Sequence, residues 1–189
     1  MPLTVSQAIL KESEEKMKKA LEIVMHEFAT LRTGRASTSL IEGVKVDYYG
    51  TLTSLKQMAA LSAPEPRLLL IQPWDPSALP LIEQAILKSE LGLVPTNDGK
   101  VIRIGIPSLT EERRRELDKL IKKMAEEGRI AIRAVRRDAN EHLKKLQADK
   151  AITEDDAHQN QNDIQKLTDK TIASIDSLLK TKEQEITQS

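Results

Sequence analysis

Residues 108–148, SLTEERRRELDKLIKKMAEEGRIAIRAVRRDANEHLKKLQA, decide the fold that the sequence predicts. Apolar residues recur in this stretch every three or four positions, which is the period of one face of an α-helix. Ser108 and Glu111 have the spacing of a capping box and predict where the helix starts. A helix of this length would be roughly 60 Å long, and it cannot bury its apolar seam without partners.

Two further segments have the same helical period and predict the partners. Thr4 with Gln7 fits a capping box and opens a first helix, which we expect to stop around Gly34. Thr153 with Asp156 fits a third box and opens the last helix. The connection between the second and third helices is short, so they must be antiparallel neighbours. The sequence therefore predicts a long three-helix bundle.

The segment between the first two helices changes character. Residues 44–49 and 101–106 alternate and residues 68–71 form a short apolar run, so all three are predicted strands. Asp75 followed by Pro76 predicts a helix start between the second and third strands. Asn97-Asp98-Gly99 is a turn of the kind that closes a hairpin. These elements predict a small inserted β/α/β domain.

The predicted fold class is therefore α+β, with two domains. Residues 1–30 plus 107–189 would form the three-helix bundle domain, and residues 31–106 would form the inserted α+β domain. The chain passes between them twice, so we expect hinges at about 31–37 and 105–108, where Gly34 and Gly105 give the backbone freedom.

Composition excludes several functional classes. The chain has no cysteine, which excludes disulfide scaffolds, thiol catalysis and cysteine-based metal centres. It has no nucleotide-binding glycine loop, no nucleophile elbow and no paired histidines at metal-ligand spacing. We therefore expect no enzyme activity, no cofactor, no metal and no small-molecule substrate. With neither a secretory signal nor a membrane-spanning run, the predicted location is cytoplasmic.

Charge is balanced overall but not along the chain. Basic and acidic residues number 29 each, for a net charge of zero. Residues 109–150 hold 13 basic and 9 acidic residues, whereas residues 151–189 hold 4 and 8. A neutral chain therefore contains a basic helix followed by an acidic one, and local faces decide which partner is attracted.

The long middle helix places one cationic arc opposite its apolar seam. The members of the arc are Arg115, Lys122, Arg129, Arg133, Arg136, Arg137, Asn140 and Lys144. One interpretation is an ordinary solvated face. The other is a contact with RNA phosphates, favoured because the arc holds four arginines and no acid between Arg129 and Arg137. The arc lacks aromatic residues, so it would contact backbone phosphates and not unstacked bases.

Two other functional classes stay open at this point. A self-associating helical scaffold would use the same seams between chains, but the inserted domain and its two connectors disfavour it. A hydrolase has no supporting catalytic residues. Sedimentation equilibrium separates the scaffold from a monomer.

Five separated motifs resemble the ribosome recycling factor family, in the right order and over essentially the whole chain. They are LRTGRAS at 31–37, VDYYG at 46–50, IP at 106–107 with LTEERR at 109–114, RAVRRDAN at 133–140, and QKLTD at 165–169. The resemblance implies an L-shaped molecule with an outline similar to transfer RNA.

The resemblance also implies an activity and partners. Such a factor binds the post-termination ribosome and, with elongation factor G and GTP, splits the subunits and releases messenger RNA and deacylated transfer RNA, so that ribosomes can re-initiate. The implied contacts with large-subunit ribosomal RNA are Arg129, Arg133, Arg136 and Arg137. We expect Lys122 and Asn140 to join them because both lie on the same arc of the helix. The implied hinge residues are Arg32, Thr33, Gly34, Arg35, Gly105 and Pro107. We expect a monomer that makes no contact with membranes.

Overall fold

The computed structural model describes residues 4–188, which form long helices and a small antiparallel sheet region. The helices are α1 Val5–Thr30, α2 Leu55–Met58, α3 Leu79–Lys88, α4 Glu111–Ala148 and α5 Glu154–Thr187. The strands are β1 Lys45–Tyr48, β2 Thr51–Ser54, β3 Ala59–Glu65, β4 Leu68–Pro73, β5 Pro95–Asn97 and β6 Ile102–Gly105. Single 3₁₀ turns lie at Thr38–Leu40 and Pro76–Ala78. The α+β class predicted from the sequence is confirmed.

The chain divides into two compact units by its contacts. The helical unit comprises the chain up to Leu31 together with Arg115–Gln184. The sheet unit comprises Arg32–Arg114 together with the end of the chain from Glu185. Each unit has buried apolar residues of its own.

The helical unit packs α1, α4 and α5 around a narrow seam. Gly128 of α4 is the point of closest approach, because a Cβ built there would lie 2.5 Å from Val24 Cγ2 and 3.0 Å from Ile175 Cδ1. Only glycine allows the three backbones to come this close. Contacts of α4 with α5 pair Lys122 with Glu183 and Arg129 with Asp176, so these two helices are antiparallel as predicted.

The helix starts follow the predicted chemistry at two of three places. Thr4 and Gln7 form a complete capping box at α1. At α5 the Thr153 N–H donates to Asp156 Oδ2 at 3.2 Å, and the Asp156 N–H donates to Thr153 Oγ1 at 3.1 Å. The predicted box at Ser108 is wrong. The cap of α4 is Thr110, whose Oγ1 accepts from the Arg113 N–H at 3.2 Å.

The sheet unit has one four-stranded antiparallel sheet, ordered β3-β4-β6-β5, and a separate β1–β2 hairpin. Alternate residues of the central strands are buried, as expected for a sheet with one face covered. The covering element is α3, whose apolar side joins Val46 of β1 and Leu55 of α2 in one cluster. The Asn97–Gly99 turn closes the β5–β6 hairpin as predicted, with Gly99 at φ +89°.

The sheet unit also contains strands that the sequence pattern did not predict. They are β2, β3 and β5, so the inserted domain has more strands than the predicted β/α/β arrangement. Strand β3 contains Pro64 and has a register irregularity between Ser62 and Glu65, which fits an edge strand. The helix after Asp75 ends at Lys88, and α1 ends at Thr30, before the predicted stop around Gly34.

No helix within residues 4–188 is long and apolar enough to cross a bilayer.

Candidate nucleic-acid interface

The predicted arc does not lie wholly opposite the buried seam: Arg129 and Arg136 reach side chains of α5, whereas Arg133 and Arg137 are exposed on the outer face of α4. The seam consists of Leu117, Ile121, Ala125, Gly128, Ile132, Ala139 and Leu143. The arc residues differ widely in exposure. The ion pairs and hydrogen bonds that each one makes determine how many of its donors stay open for a ligand.

Arg129 is held against the neighbouring helix. Its Nε and Nη2 atoms donate to Asp176 Oδ1 of α5 at 2.9 and 2.5 Å, and its Nη1 donates to Glu126 Oε2 at 3.0 Å. The side chain is only 19% exposed. The bond to Asp176, and then the bond to Glu126, raise the pKa of the Arg129 guanidinium. Arg129 is therefore largely saturated with carboxylates.

Arg133 shares one of those carboxylates. Its Nη1 atom donates to Glu126 Oε1 at 3.2 Å, and 44% of its side chain stays exposed. Hydrogen bonds from Arg129 and Arg133 lower the pKa of Glu126, which is therefore ionised at neutral pH. Arg133 thus has one guanidinium edge engaged and the rest open to solvent.

Arg136 and Arg137 have no carboxylate partner among residues 4–188. Arg136 Nη1 donates to the neutral Gln165 Oε1 of α5 at 3.3 Å, and Gln165 Nε2 in turn donates to Asp169 at 2.8 Å. Arg137 is exposed, and its guanidinium makes no hydrogen bond within the described part of the chain. The positive charge of these two residues is not neutralised locally.

The remaining two predicted contacts differ from the arginines. Lys122 is 55% exposed but pairs with Asp118 at 2.7 Å and with Glu183 at 3.7 Å. The bond to Asp118 raises the pKa of the Lys122 ammonium. Asn140 is half-buried, and its Oδ1 is buried without a hydrogen-bond partner in residues 4–188. Its amide nitrogen is the atom that a phosphate would need.

The predicted hinge residues lie in two short segments, each next to a residue whose backbone N–H is bonded to the β3–β4 turn. Gly34 has φ +74°, and Thr33 is buried. The Ala36 N–H donates to the Pro66 carbonyl at 2.6 Å, and the Ile106 N–H donates to the Arg67 carbonyl at 2.8 Å. Both segments are thus tied to the β3–β4 turn. Gly105 is paired with Leu68 inside β6, whereas Arg32, Arg35 and Pro107 are exposed.

Sequence reasoning missed the acids of the interface. Glu126 lies three residues before Arg129 and seven before Arg133, so it falls on the same helical arc, just ahead of the acid-free stretch that starts at Arg129. Asp176 belongs to another helix, and its pairing with Arg129 depends on the antiparallel register of α4 and α5. The first signal was present in the sequence, whereas the second required the fold.

Within residues 4–188, no group of acidic residues and histidines is placed to hold a metal ion. The fold and the site together define an α+β protein that carries a cationic face on a long helical bundle.

Comparison with known proteins gives the family. The family model described as ribosome recycling factor matches residues 24–187. The chain is 58% identical to the ribosome-recycling factor of Carboxydothermus hydrogenoformans over 95% of its length and 97% of that protein. It is 56% identical to that of Nitratidesulfovibrio vulgaris, with the same coverage of both chains. The chain belongs to the ribosome recycling factor family, whose members are non-enzymatic translation factors.

Two solved structures have the same fold. The solution structure of a ribosome recycling factor matches all of both chains, with a TM-score of 0.71 and 46% identity. The second, also 46% identical, covers 96% of this chain and 98% of the other with a TM-score of 0.62. It comes from models for the T. thermophilus ribosome recycling factor and the E. coli elongation factor G bound to the E. coli post-termination complex.

Proposed function

We propose that this protein recycles ribosomes after termination. It binds the post-termination ribosome and, together with elongation factor G and GTP, separates the subunits and releases messenger RNA and deacylated transfer RNA, so that ribosomes can re-initiate. Membership of the family supports the role. The related ribosome recycling factor in models that also hold elongation factor G on a post-termination complex supports the ribosome and elongation factor G as partners.

The contact with the ribosome is proposed to run through the outer face of α4. Arg133, Arg136 and Arg137 would bind phosphates of large-subunit ribosomal RNA, with Lys122, Arg129 and Asn140 at the margin of the contact. The observation that carries this proposal is the uncompensated charge of Arg136 and Arg137 in a chain whose net charge is zero. Guanidinium groups bind phosphate in a bidentate way, and the absence of aromatics on this face suits a backbone contact.

The two connecting segments are proposed to act as hinges. Ala36 and Ile106 are tied to the β3–β4 turn by backbone hydrogen bonds. Bending would therefore fall mainly at Arg32–Arg35 on one side and at Pro107 and beyond on the other, with Gly105 as the paired end of β6. Elongation factor G would act on the sheet unit, while the GTP chemistry stays on that factor.

The helical unit is proposed to work as a stiff monomeric body in the cytoplasm. Its three helices fill the seam from within one chain, as the triple contact at Gly128 illustrates. Each helix is supported by two others, so a force applied at one end is transmitted without bending. Sedimentation equilibrium of the purified protein should give the monomer mass at tens of micromolar.

The test of the function is subunit splitting. Post-termination ribosomes are mixed with elongation factor G, GTP and either the natural protein or Arg133→Ala, and subunit separation is followed by light scattering. The natural protein should split ribosomes only when both the factor and GTP are present, and Arg133→Ala should need a higher concentration. The matched control is Lys16→Ala, an exposed cation of α1 in the helical unit that pairs with Glu12 at 2.6 Å. Splitting that does not depend on this protein would contradict the proposal.

A further inference from the structure

One carboxylate of the cationic face is shared between two arginines. Glu126 Oε2 accepts from Arg129 Nη1 at 3.0 Å, and Glu126 Oε1 accepts from Arg133 Nη1 at 3.2 Å. Both oxygens of one exposed side chain are therefore occupied by guanidinium groups one and two helical turns away. Such an arrangement holds long side chains in a single geometry.

Asp176 bonds to only one of the two arginines that share Glu126, so the two arginines are held unequally. It takes two donors of Arg129 on one oxygen, at 2.9 and 2.5 Å, and fixes that arginine to α5. Arg133 has no second carboxylate among residues 4–188, since its ion pair is with Glu126 alone. Arg129 is therefore the fixed end of the network, and the Arg133–Glu126 pair is the end that can open.

The charges of the network cancel. Arg129 and Arg133 contribute two positive charges, and Glu126 and Asp176 contribute two negative charges. The outward charge of this region comes from Arg136 and Arg137. Arg133 can meet a phosphate with the donors that stay open, and it offers its full charge once Nη1 exchanges Glu126 for that phosphate. An exposed pair of this kind is weak in water, so the exchange is feasible.

We propose that Glu126 is a positioning and release residue for the RNA contact: it holds the Arg133 guanidinium at the surface of α4 and competes with an RNA phosphate for it. The inference rests on the proposed function and deepens it. Holding Arg133 in place reduces the entropy cost of binding. Competition for the same guanidinium weakens the bound state and favours dissociation. A factor that must leave the ribosome in every round needs both properties.

The test compares two neutralised glutamates on the same helix. Glu126→Gln keeps the shape of the side chain and removes the charge that competes for Arg133. Glu127→Gln makes the same change in net charge one residue further along, where the carboxylate pairs with Lys123 at 3.9 Å. Binding of each full-length variant to purified large subunits is measured at several salt concentrations, together with the dissociation rate.

Glu126→Gln should bind roughly twofold to fivefold more tightly than the natural protein, the range expected when an exposed ion pair stops competing. It should also dissociate more slowly, and the dependence of binding on salt should be steeper. Glu127→Gln should stay close to the natural protein. The gain should disappear when Glu126→Gln is combined with Arg133→Ala, because the effect acts through that guanidinium.

Two results overturn the inference: affinity of Glu126→Gln no higher than that of Glu127→Gln, or a gain that persists in the Arg133→Ala background. The proposed function fails separately. If Arg133→Ala and Arg136→Ala/Arg137→Ala both bind large subunits as the natural protein does, the outer face of α4 is not the RNA contact. If Arg133→Ala weakens binding while the two glutamine variants behave alike, only the role of Glu126 is wrong.

Discussion

The two units bury their apolar side chains in different ways. In the sheet unit, residues from every layer converge on one thick cluster that includes Val46, Leu69, Ile82 and Ile104, all fully buried. In the helical unit, a thin seam runs along three helices and includes glycine, alanine and threonine. At Gly128 the three helices come close together because the seam residue there has no side chain.

This difference determines where function can reside. A helix with a thin seam exposes most of its circumference, so α4 can carry Arg133, Arg136 and Arg137 along one side, none of them buried. The strands of the sheet unit are three to seven residues long and alternate between core and solvent, so each presents only a few side chains on its outer face. The helical unit is therefore the one suited to a long polyanion, and variants in each unit can test that division of roles.

The largest expected effect is on ribosome binding. Replacing Arg133, Arg136 and Arg137 together by alanine should lower the affinity for large subunits by about 100-fold or more, because charge-assisted contacts to phosphate are among the strongest polar interactions. Far-UV circular dichroism and the melting temperature should change little, since none of the three side chains lies in the seam. Filter binding at fixed salt gives the affinity. Loss of helicity in the triple variant would mean that the face has a structural role instead.

A smaller effect is expected on the stability of the helical unit. Gly128→Ala should lower its free energy of unfolding by about 1 to 2 kcal/mol, since the added methyl overpacks against Val24 and Ile175 and the gain in helix propensity offsets only part of that cost. Urea unfolding followed by circular dichroism at 222 nm measures the change. Gly43→Ala in the sheet unit is the control, because its new methyl would meet no atom within 4 Å. Equal behaviour of the two variants would contradict the close approach of the helices.

The capping box at the start of α5 should contribute less. Thr153→Ala removes the hydroxyl that accepts from the Asp156 N–H and should cost about 1 kcal/mol. The same urea experiment measures it. Thr181→Ala is a suitable comparison, since that hydroxyl only donates back to the Ser177 carbonyl within the same helix at 3.0 Å. A cost at Thr181 equal to that at Thr153 would argue against a specific capping role.

The smallest effect is a pH dependence confined to the sheet unit. The Tyr48 hydroxyl donates to Asp75 Oδ2 at 2.5 Å and, together with bonds from Ser77, lowers the pKa of Asp75. A depressed carboxyl pKa contributes stability above the ordinary value near 4, and that stability is lost as pH falls through the folded-state pKa. Melting followed by Trp74 fluorescence should therefore show acid sensitivity that shrinks in Tyr48→Phe. An identical pH profile in both proteins would contradict this contribution.

Sequence reasoning described the helical unit better than the sheet unit for a physical reason. The period of α4 and the caps at Thr4 and Thr153 are local signals, and the structure confirms them. Strands β2, β3 and β5 are short or irregular, and their pairing depends on distant residues. Such pairing is decided by tertiary packing, so single-sequence patterns detect it poorly.

The candidate site was predicted in outline. The arc of arginines followed from helical geometry, but Arg129 and Arg136 reach α5 at the edge of the seam, and only Arg133 and Arg137 are exposed. Their individual environments did not follow, because Asp176 and Gln165 approach from α5 and their register could not be read from the chain. The difference between the saturated Arg129 and the open Arg137 is therefore information that only the fold supplies.

The central claim is that arginines on the outer face of α4 bind ribosomal phosphates. The most direct measurement is the affinity for purified large subunits as a function of salt, for the natural protein and for Arg136→Ala/Arg137→Ala. We expect the logarithm of the binding constant to fall linearly with the logarithm of salt concentration. The slope should be smaller by about two units in the double variant, about one for each arginine that no longer neutralises a phosphate. Superimposable slopes for the two proteins would contradict the claim.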